Sequence, residues 1–182
     1  MLILVTGGSR SGKSGFALQR AREFEGPRIF LATAQPFDEE MAQRIAAHQR
    51  DRPAGWELRE EPIHVPDALA SALQSAHTVI IDCVTVWMAN LLLADDSFDE
   101  VSAAAHAGLL VSRARAGART AGRAVIVVTN EVGSGIVPDN AISRRFRDCA
   151  GRANQVIARE ADEVYSMVCG IPFRIKPQER QA

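Results

Sequence analysis

Eight consecutive residues near the start of the chain, Gly7-Gly8-Ser9-Arg10-Ser11-Gly12-Lys13-Ser14, fit the pattern of glycine, four residues, then Gly-Lys-Ser. This is an arrangement for holding phosphate. The glycines let backbone amides curl around phosphate oxygens, the Lys13 ammonium reaches the β and γ groups, and the Ser14 hydroxyl is suited to ligate magnesium. Lysine is scarce here: of 21 basic residues only Lys13 and Lys176 are not arginine. A compact point charge at this loop suits phosphate better than a planar guanidinium.

Two further groups bear on the same chemistry. Val79-Ile80-Ile81-Asp82 reads as an apolar strand ending in a carboxylate. Such an acid either stands beside the nucleotide's magnesium, making Asp82 a Walker B residue, or simply caps the following turn. Met41, Ile45 and His48 are spaced so that a helix would carry His48 on its apolar face, close to the C-terminal end. A packing or capping histidine meets that description. So does a nucleophile: with Arg44, Arg50 and Arg52 nearby to neutralise a polyphosphate, a neutral imidazole of ordinary pKa ~6.5 can attack phosphorus.

Asn130-Glu131 follows another apolar run, at the strand end where α/β sheets bind ligands, and is either part of a substrate site or an ordinary strand-to-helix connection. Arg144, Arg145 and Arg147 read as a solvated face or a subunit contact, and Trp56 and Trp87 as packing residues. His64, His77 and His106 have no convergent partner in the sequence.

These groups need a scaffold, and the hydrophobic pattern supplies one. Apolar, β-branched runs predict strands over Leu2 to Thr6, Arg28 to Ala32, Thr78 to Asp82, Ala124 to Thr129 and Glu163 to Val168, with Trp56 to Glu60 as an edge strand. A short strand from Phe173 to Lys176, after a Gly170-Ile171-Pro172 turn, predicts a C-terminal hairpin. Helical patterns cover Lys13 to Phe24, Asp38 to Arg50, Pro66 to Ser75, Val86 to Leu93, Ser97 to Ala116 and Asn140 to Arg159. The alternation predicts an α/β fold, a mostly parallel central sheet flanked by helices.

Length and composition fit one domain over 1–182: 47% of residues are hydrophobic and 24% charged, with no linker-like stretch. A net charge of -1 argues against a nucleic-acid partner held by bulk electrostatics. Cys83, Cys149 and Cys169 are odd in number and widely spaced, which predicts reduced, buried thiols with no structural metal. No apolar stretch approaches the ~18 residues of a membrane span, and no signal peptide is evident, so a cytoplasmic protein is expected.

Taken together, the motifs resemble the bifunctional adenosylcobinamide kinase/adenosylcobinamide-phosphate guanylyltransferases of cobalamin assembly. The carriers are Leu4-Val5-Thr6 with the phosphate loop, Ala32-Thr33-Ala34, Asp38-Glu39-Glu40-Met41 with Arg44-Ile45, and His48 with Arg52-Pro53 and Trp56. Asp82-Cys83-Val84-Thr85, Asn90-Leu91-Leu92, the run from Thr129 to Pro138, and Arg145-Phe146-Arg147-Asp148 extend the likeness nearly end to end. The resemblance implies a RecA-like P-loop NTPase fold and makes Lys13 and His48 catalytic, His48 taking GMP from GTP. Nucleotide contacts are implied at the phosphate loop, Ala32, Thr33, Ala34, Gln49, Arg50, Asp51, Arg52, Glu60 and Asp82, with magnesium on Ser14 and Asp82. Where some members carry paired histidines, Ala47 precedes His48 here, and Gln49 and Arg50 also depart from the family pattern.

The substrates so implied are ATP or GTP, adenosylcobinamide and its phosphate, and the expected assembly is a homo-oligomer such as a trimer. A monofunctional small-molecule kinase with a structural His48 is the alternative. A regulatory GTPase fits less well, because Asp82-Cys83-Val84-Thr85 lacks Asp-x-x-Gly and Thr129-Asn130-Glu131-Val132 lacks Asn-Lys-x-Asp.

Overall fold

The computed structural model describes residues 1–35, 39, 55–118, 120 and 122–177. Seven strands form one sheet: β1 Leu2–Gly7, β2 Arg28–Ala32, β3 Trp56–Glu60, β4 Thr78–Asp82, β5 Ala124–Val128, β6 Glu163–Val168 and β7 Ile171–Lys176. Their order is β3-β2-β4-β5-β1-β6-β7, parallel throughout except for the β6–β7 pair. The described helices are α1 Lys13–Ala21, α2 Val65–Ser75, α3 Val84–Ala94, α4 Glu100–Ala118 and α5 Ala141–Glu160.

Central strands covered on both sides must be apolar at every position, and β5, Ala-Val-Ile-Val-Val, is buried throughout. Alternate residues feed different cores. Leu2, Leu4, Val79, Ile81, Val125 and Val127 join the larger core with α2, α3, α4 and α5. Ile3, Val5, Ile80, Ile126 and Val128 join the smaller one, against Ala17 and Ala21 of α1. That alternation decides which residues at the strand ends face the phosphate loop.

Most expected elements occur within a few residues of their predicted limits. Trp56–Glu60 is an edge strand, its Trp56 ring meeting Phe30 edge-to-face at 6.3 Å. Helix α1 stops at Ala21 rather than Phe24, since Arg22, Glu23 and Phe24 turn back through i to i−3 bonds to Gln19, Arg20 and Ala21. The expected Gly170-Ile171-Pro172 turn is corrected to Cys169-Gly170, where positive φ values of 52° and 82° make the two-residue loop that suits a twisted hairpin. Strand β7 therefore begins at Ile171, and Pro172 is tolerated because β7 lies at the sheet edge. Cys83 and Cys149 are buried thiols as expected, but Cys169, at that turn, is exposed. The helix expected from Asp38 to Arg50 lies outside the described residues, apart from Glu39.

Candidate active site at the carboxyl edge of the sheet

Strand β1 delivers Gly7 to the carboxyl edge with φ 146° and no room for a side chain, because a Cβ there would lie 2.6 Å from the Met167 carbonyl of β6. The loop then winds through Gly8, Ser9, Arg10 and Ser11 to Gly12, the N-cap of α1. Gly170 N donates to Ser11 O at 3.1 Å, and Glu131 N donates to Gly7 O at 3.1 Å, so neighbouring segments brace the loop on both sides.

Lys13 is buried, 8% exposed, with Nζ donating to Gly8 O and, at 3.4 Å, to Ser11 Oγ. Burial lowers its pKa from the ordinary lysine value, while the charge of Asp82 acts the other way. The ammonium thus rests against its own loop, on a backbone carbonyl and a hydroxyl.

Ser14 Oγ donates to Asp82 Oδ2 at 2.7 Å. Because β5 lies between β1 and β4, this bond spans the tip of β5. A hydroxyl and one carboxylate are hard oxygen donors, the set that suits magnesium completed by water and substrate phosphates. Among the described residues no group of three or more His, Cys, Asp or Glu gathers as a metal cage. Beside Asp82, the Cys83 thiol is pushed up to about 12 by burial, with the Asp82 charge adding to the effect; it stays protonated and serves as packing.

The row continues outward. Ala32 is paired with Asp82 on one side and with Glu60 on the other. Glu60 is exposed and lies four strands from β1, about 19 Å along the edge at the usual strand spacing. Thr33 is wholly buried: its Oγ1 donates to Cys83 O and accepts from Cys83 N, both at 2.8 Å, so its side chain fixes the β4 exit. The phosphate loop, Ala32, Thr33, Ala34, Glu60 and Asp82 therefore share one edge. His48, Gln49, Arg50, Asp51 and Arg52 lie outside the described residues.

Polar groups, among them Asn130 and others to which the sequence assigned no role, hold this edge in shape. Asn130 N donates to Thr85 Oγ1 at 2.7 Å, Thr85 Oγ1 and Thr129 Oγ1 are 3.1 Å apart, and Thr129 Oγ1 donates to Asn154 Oδ1 at 2.7 Å. Asn154 Nδ2 returns to Asn130 O at 3.1 Å, closing a ring. Asn90 Nδ2, 4% exposed in the otherwise apolar α3, donates to Thr33 O at 2.8 Å and Pro62 O at 3.1 Å. The available signals were a lone amide in an apolar helix and, for Asn154, a place four residues after buried Ala150.

The arginine cluster makes internal ties: Arg144 Nη1 donates to Pro138 O and Asp139 O, and Arg145 Nη1 to Asp96 O. Trp87 is fully buried, its Nε1 donating to Ile63 O at 2.8 Å, and His106 stacks edge-on against Trp87 and Phe98.

Comparison with known proteins places this geometry. A chain from an ATPase of a bacterial type III secretion system superposes with a TM-score of 0.51 at 15% identity, covering 91% of this chain and 50% of that one, a likeness of fold. The bifunctional adenosylcobalamin biosynthesis protein CobU of Salmonella typhimurium is 39% identical over 183 residues, covering 97% of this chain and all of that protein. Its Pseudomonas aeruginosa counterpart CobP is 38% identical over 173 residues, covering 95% and 96% of the two chains. The family described as cobinamide kinase / cobinamide phosphate guanyltransferase matches residues 3–175. A phosphate loop at the carboxyl edge of a P-loop α/β sheet, with relatives similar along nearly their whole length, makes this chain a member of that family.

Proposed function

We propose that one domain performs two successive transfers at this sheet edge. In the first, the adenosylcobinamide hydroxyl attacks the γ-phosphorus of ATP or GTP, a P–O bond forms to the corrinoid alcohol, the β–γ bridging P–O bond breaks, the nucleoside diphosphate leaves, and the hydroxyl proton passes to solvent. Lys13 supplies positive charge to the β and γ oxygens as the γ group moves, and the loop amides fix its orientation. Ser14 and Asp82 are the residues that would hold magnesium, whose chemistry when bound is to neutralise charge on the phosphate oxygens.

In the second transfer a ring nitrogen of His48 attacks the α-phosphorus of GTP. A P–N bond forms, the α–β bridging P–O bond breaks, and pyrophosphate leaves. The phosphate of adenosylcobinamide phosphate then attacks that phosphorus, the P–N bond breaks, and adenosylcobinamide-GDP is released. Arg52 steadies the phosphates, while Gln49, Arg50 and Asp51, with Ala32, Thr33, Ala34 and Glu60, complete the nucleotide contacts. Splitting the exchange lets two bulky substrates use one site in turn. The same proposal includes a cytoplasmic homo-oligomer, tested by cell fractionation and light scattering; no described helix is long and apolar enough to cross a membrane.

The observation that carries the kinase half is the Ser14 to Asp82 bond across β5 with Lys13 buried in the loop. Family membership supports the guanylyl half. GTP labelled at the α-phosphate, incubated with magnesium and the protein, is expected to leave acid-labile label on the denatured wild type and none on His48→Ala. The same variant is expected to keep phosphorylating adenosylcobinamide. Equal labelling of the two proteins would remove the covalent step.

A further inference from the structure

Asn130 stands where the two halves of the phosphate site meet. Strand β5 runs between β4, which carries Asp82, and β1, which carries the phosphate loop. Val128 is in register with both Asp82 and Val5. Beyond Val128 the chain continues in ladder fashion, for Thr129 N donates to Val5 O and Glu131 N to Gly7 O. Alternation of faces therefore holds through this stretch. Ile126 and Val128 face the core of α1, Val127 faces the other core, and Thr129 Oγ1 bonds to Asn154 of α5 on that other side. Asn130 returns to the α1 side, two residues and about 6.6 Å beyond the row that holds Asp82.

Its main chain is clamped and its side chain is not. The Asn130 amide and carbonyl are both held in the ring with Thr85, Thr129 and Asn154. Its carboxamide is half-buried and makes no hydrogen bond with any described residue. A side chain placed above the Ser14 to Asp82 bond, on the face of Lys13, with free donors and a fixed backbone, has the geometry of a substrate contact.

We propose that the Asn130 carboxamide donates to the oxygens of the transferring γ-phosphoryl group, making it a further catalytic residue of the kinase step. Thr85, Thr129 and Asn154 are positioning residues that act through it. This rests on the kinase reading above. It adds a neutral donor on the same face of the sheet as Lys13, so that the γ group is held by both an ammonium and an amide as its bond to the β oxygen breaks.

The test is calorimetric binding of magnesium-ADP and of a magnesium-bound, non-hydrolysable imido analogue of ATP, alongside phosphorylation of adenosylcobinamide. Asn130→Ala is expected to bind the analogue about tenfold more weakly, the effect of losing one charge-assisted hydrogen bond, with ADP affinity within twofold of wild type. The phosphorylation kcat is expected to fall about 10²-fold. Thr85→Val, which removes the clamping hydroxyl at nearly constant shape, follows the same pattern, and Thr85→Ser restores it. Loss of a hydrogen bond that merely stabilised the fold would not distinguish the two nucleotides. Equal affinity of Asn130→Ala and wild type for the analogue, or equal weakening toward both nucleotides, overturns the assignment. Should the variant lose only analogue affinity while wild type fails to phosphorylate adenosylcobinamide, the Asn130 contact stands and the choice of acceptor falls.

Discussion

The two lysines of the chain sit at opposite edges of the sheet and are used in opposite ways. At the amino edge, Lys176 Nζ donates to Ala158 O at 3.3 Å and Arg159 O at 2.7 Å, closing carbonyls at the end of α5. Around it the charges are spent on one another: Asp162 accepts from Leu2 N and Arg115, both at 2.7 Å, and the Met1 ammonium donates to Arg123 O at 2.8 Å. Glu163, 9% exposed, accepts from Arg20, Arg174 and Tyr165. At the carboxyl edge, among the described residues, Lys13 hydrogen-bonds only a carbonyl and a hydroxyl of its own loop, and the Asn130 carboxamide has no described partner. Similar residue types make a seam where charged side chains pair with one another, and a candidate site where clamped backbone leaves the Asn130 carboxamide available.

That contrast can be broken by substitution. Lys13→Ala is expected to lower the rate of adenosylcobinamide phosphorylation ~10²–10³-fold, with a thermal midpoint near that of wild type; a folded variant retaining the rate would dissolve the distinction. The pH profile sharpens it. Because burial lowers the Lys13 pKa, kcat/KM should begin to fall on the alkaline side below the ordinary lysine value of ~10.4, and a limb at or above that value contradicts the assignment.

At the seam the effects move to stability. Glu163→Gln is expected to cost about 2 kcal/mol in urea unfolding at neutral pH, the loss of charge-assisted hydrogen bonds, with phosphorylation unchanged. Burial alone would raise the Glu163 pKa, yet the hydrogen bonds from Arg20 and Tyr165 hold it below the usual glutamate range. Its folded pKa is thus lower than its unfolded one. The contribution is full above the unfolded value of ~4.3 and is lost as pH falls through the folded value, so variant and wild type should converge in acid. The smallest effect belongs to Lys176→Met, about 0.5 kcal/mol of stability and no change in either transfer.

Much of the scaffold could be read from hydrophobic period, because β1, β2, β4, β5 and β6 are apolar runs with polar punctuation. The phosphate loop was legible because its chemistry depends on contiguous residues. The ring of Thr85, Thr129, Asn130 and Asn154 was not, since its hydrogen-bonded pairs are 24 to 45 positions apart along the chain and only the pairing of β5 with β4 and the packing of α5 bring them together. The hairpin turn was misplaced for a local reason: Gly170 and Pro172 both announce a turn, and only the left-handed φ of Cys169 shows which residue begins it. Asp82 reads from sequence either as a magnesium acid or as a cap, and the hydrogen bond it accepts from Ser14 joins it to the phosphate loop, a partner 68 positions away that no local pattern announces.

The bond from Gly170 N to Ser11 O, together with the pairing of Gly7 to Met167, has a consequence for how the protein is made. Residues 7–14 are synthesised before strands β6 and β7, which follow every other described element. Until they arrive, β1 lacks a partner on one side and the phosphate loop lacks one of its two braces. Affinity for nucleotide is therefore expected late in synthesis, after long-range closure of the sheet, and a nascent chain halted before β6 is expected not to be retained on immobilised nucleotide.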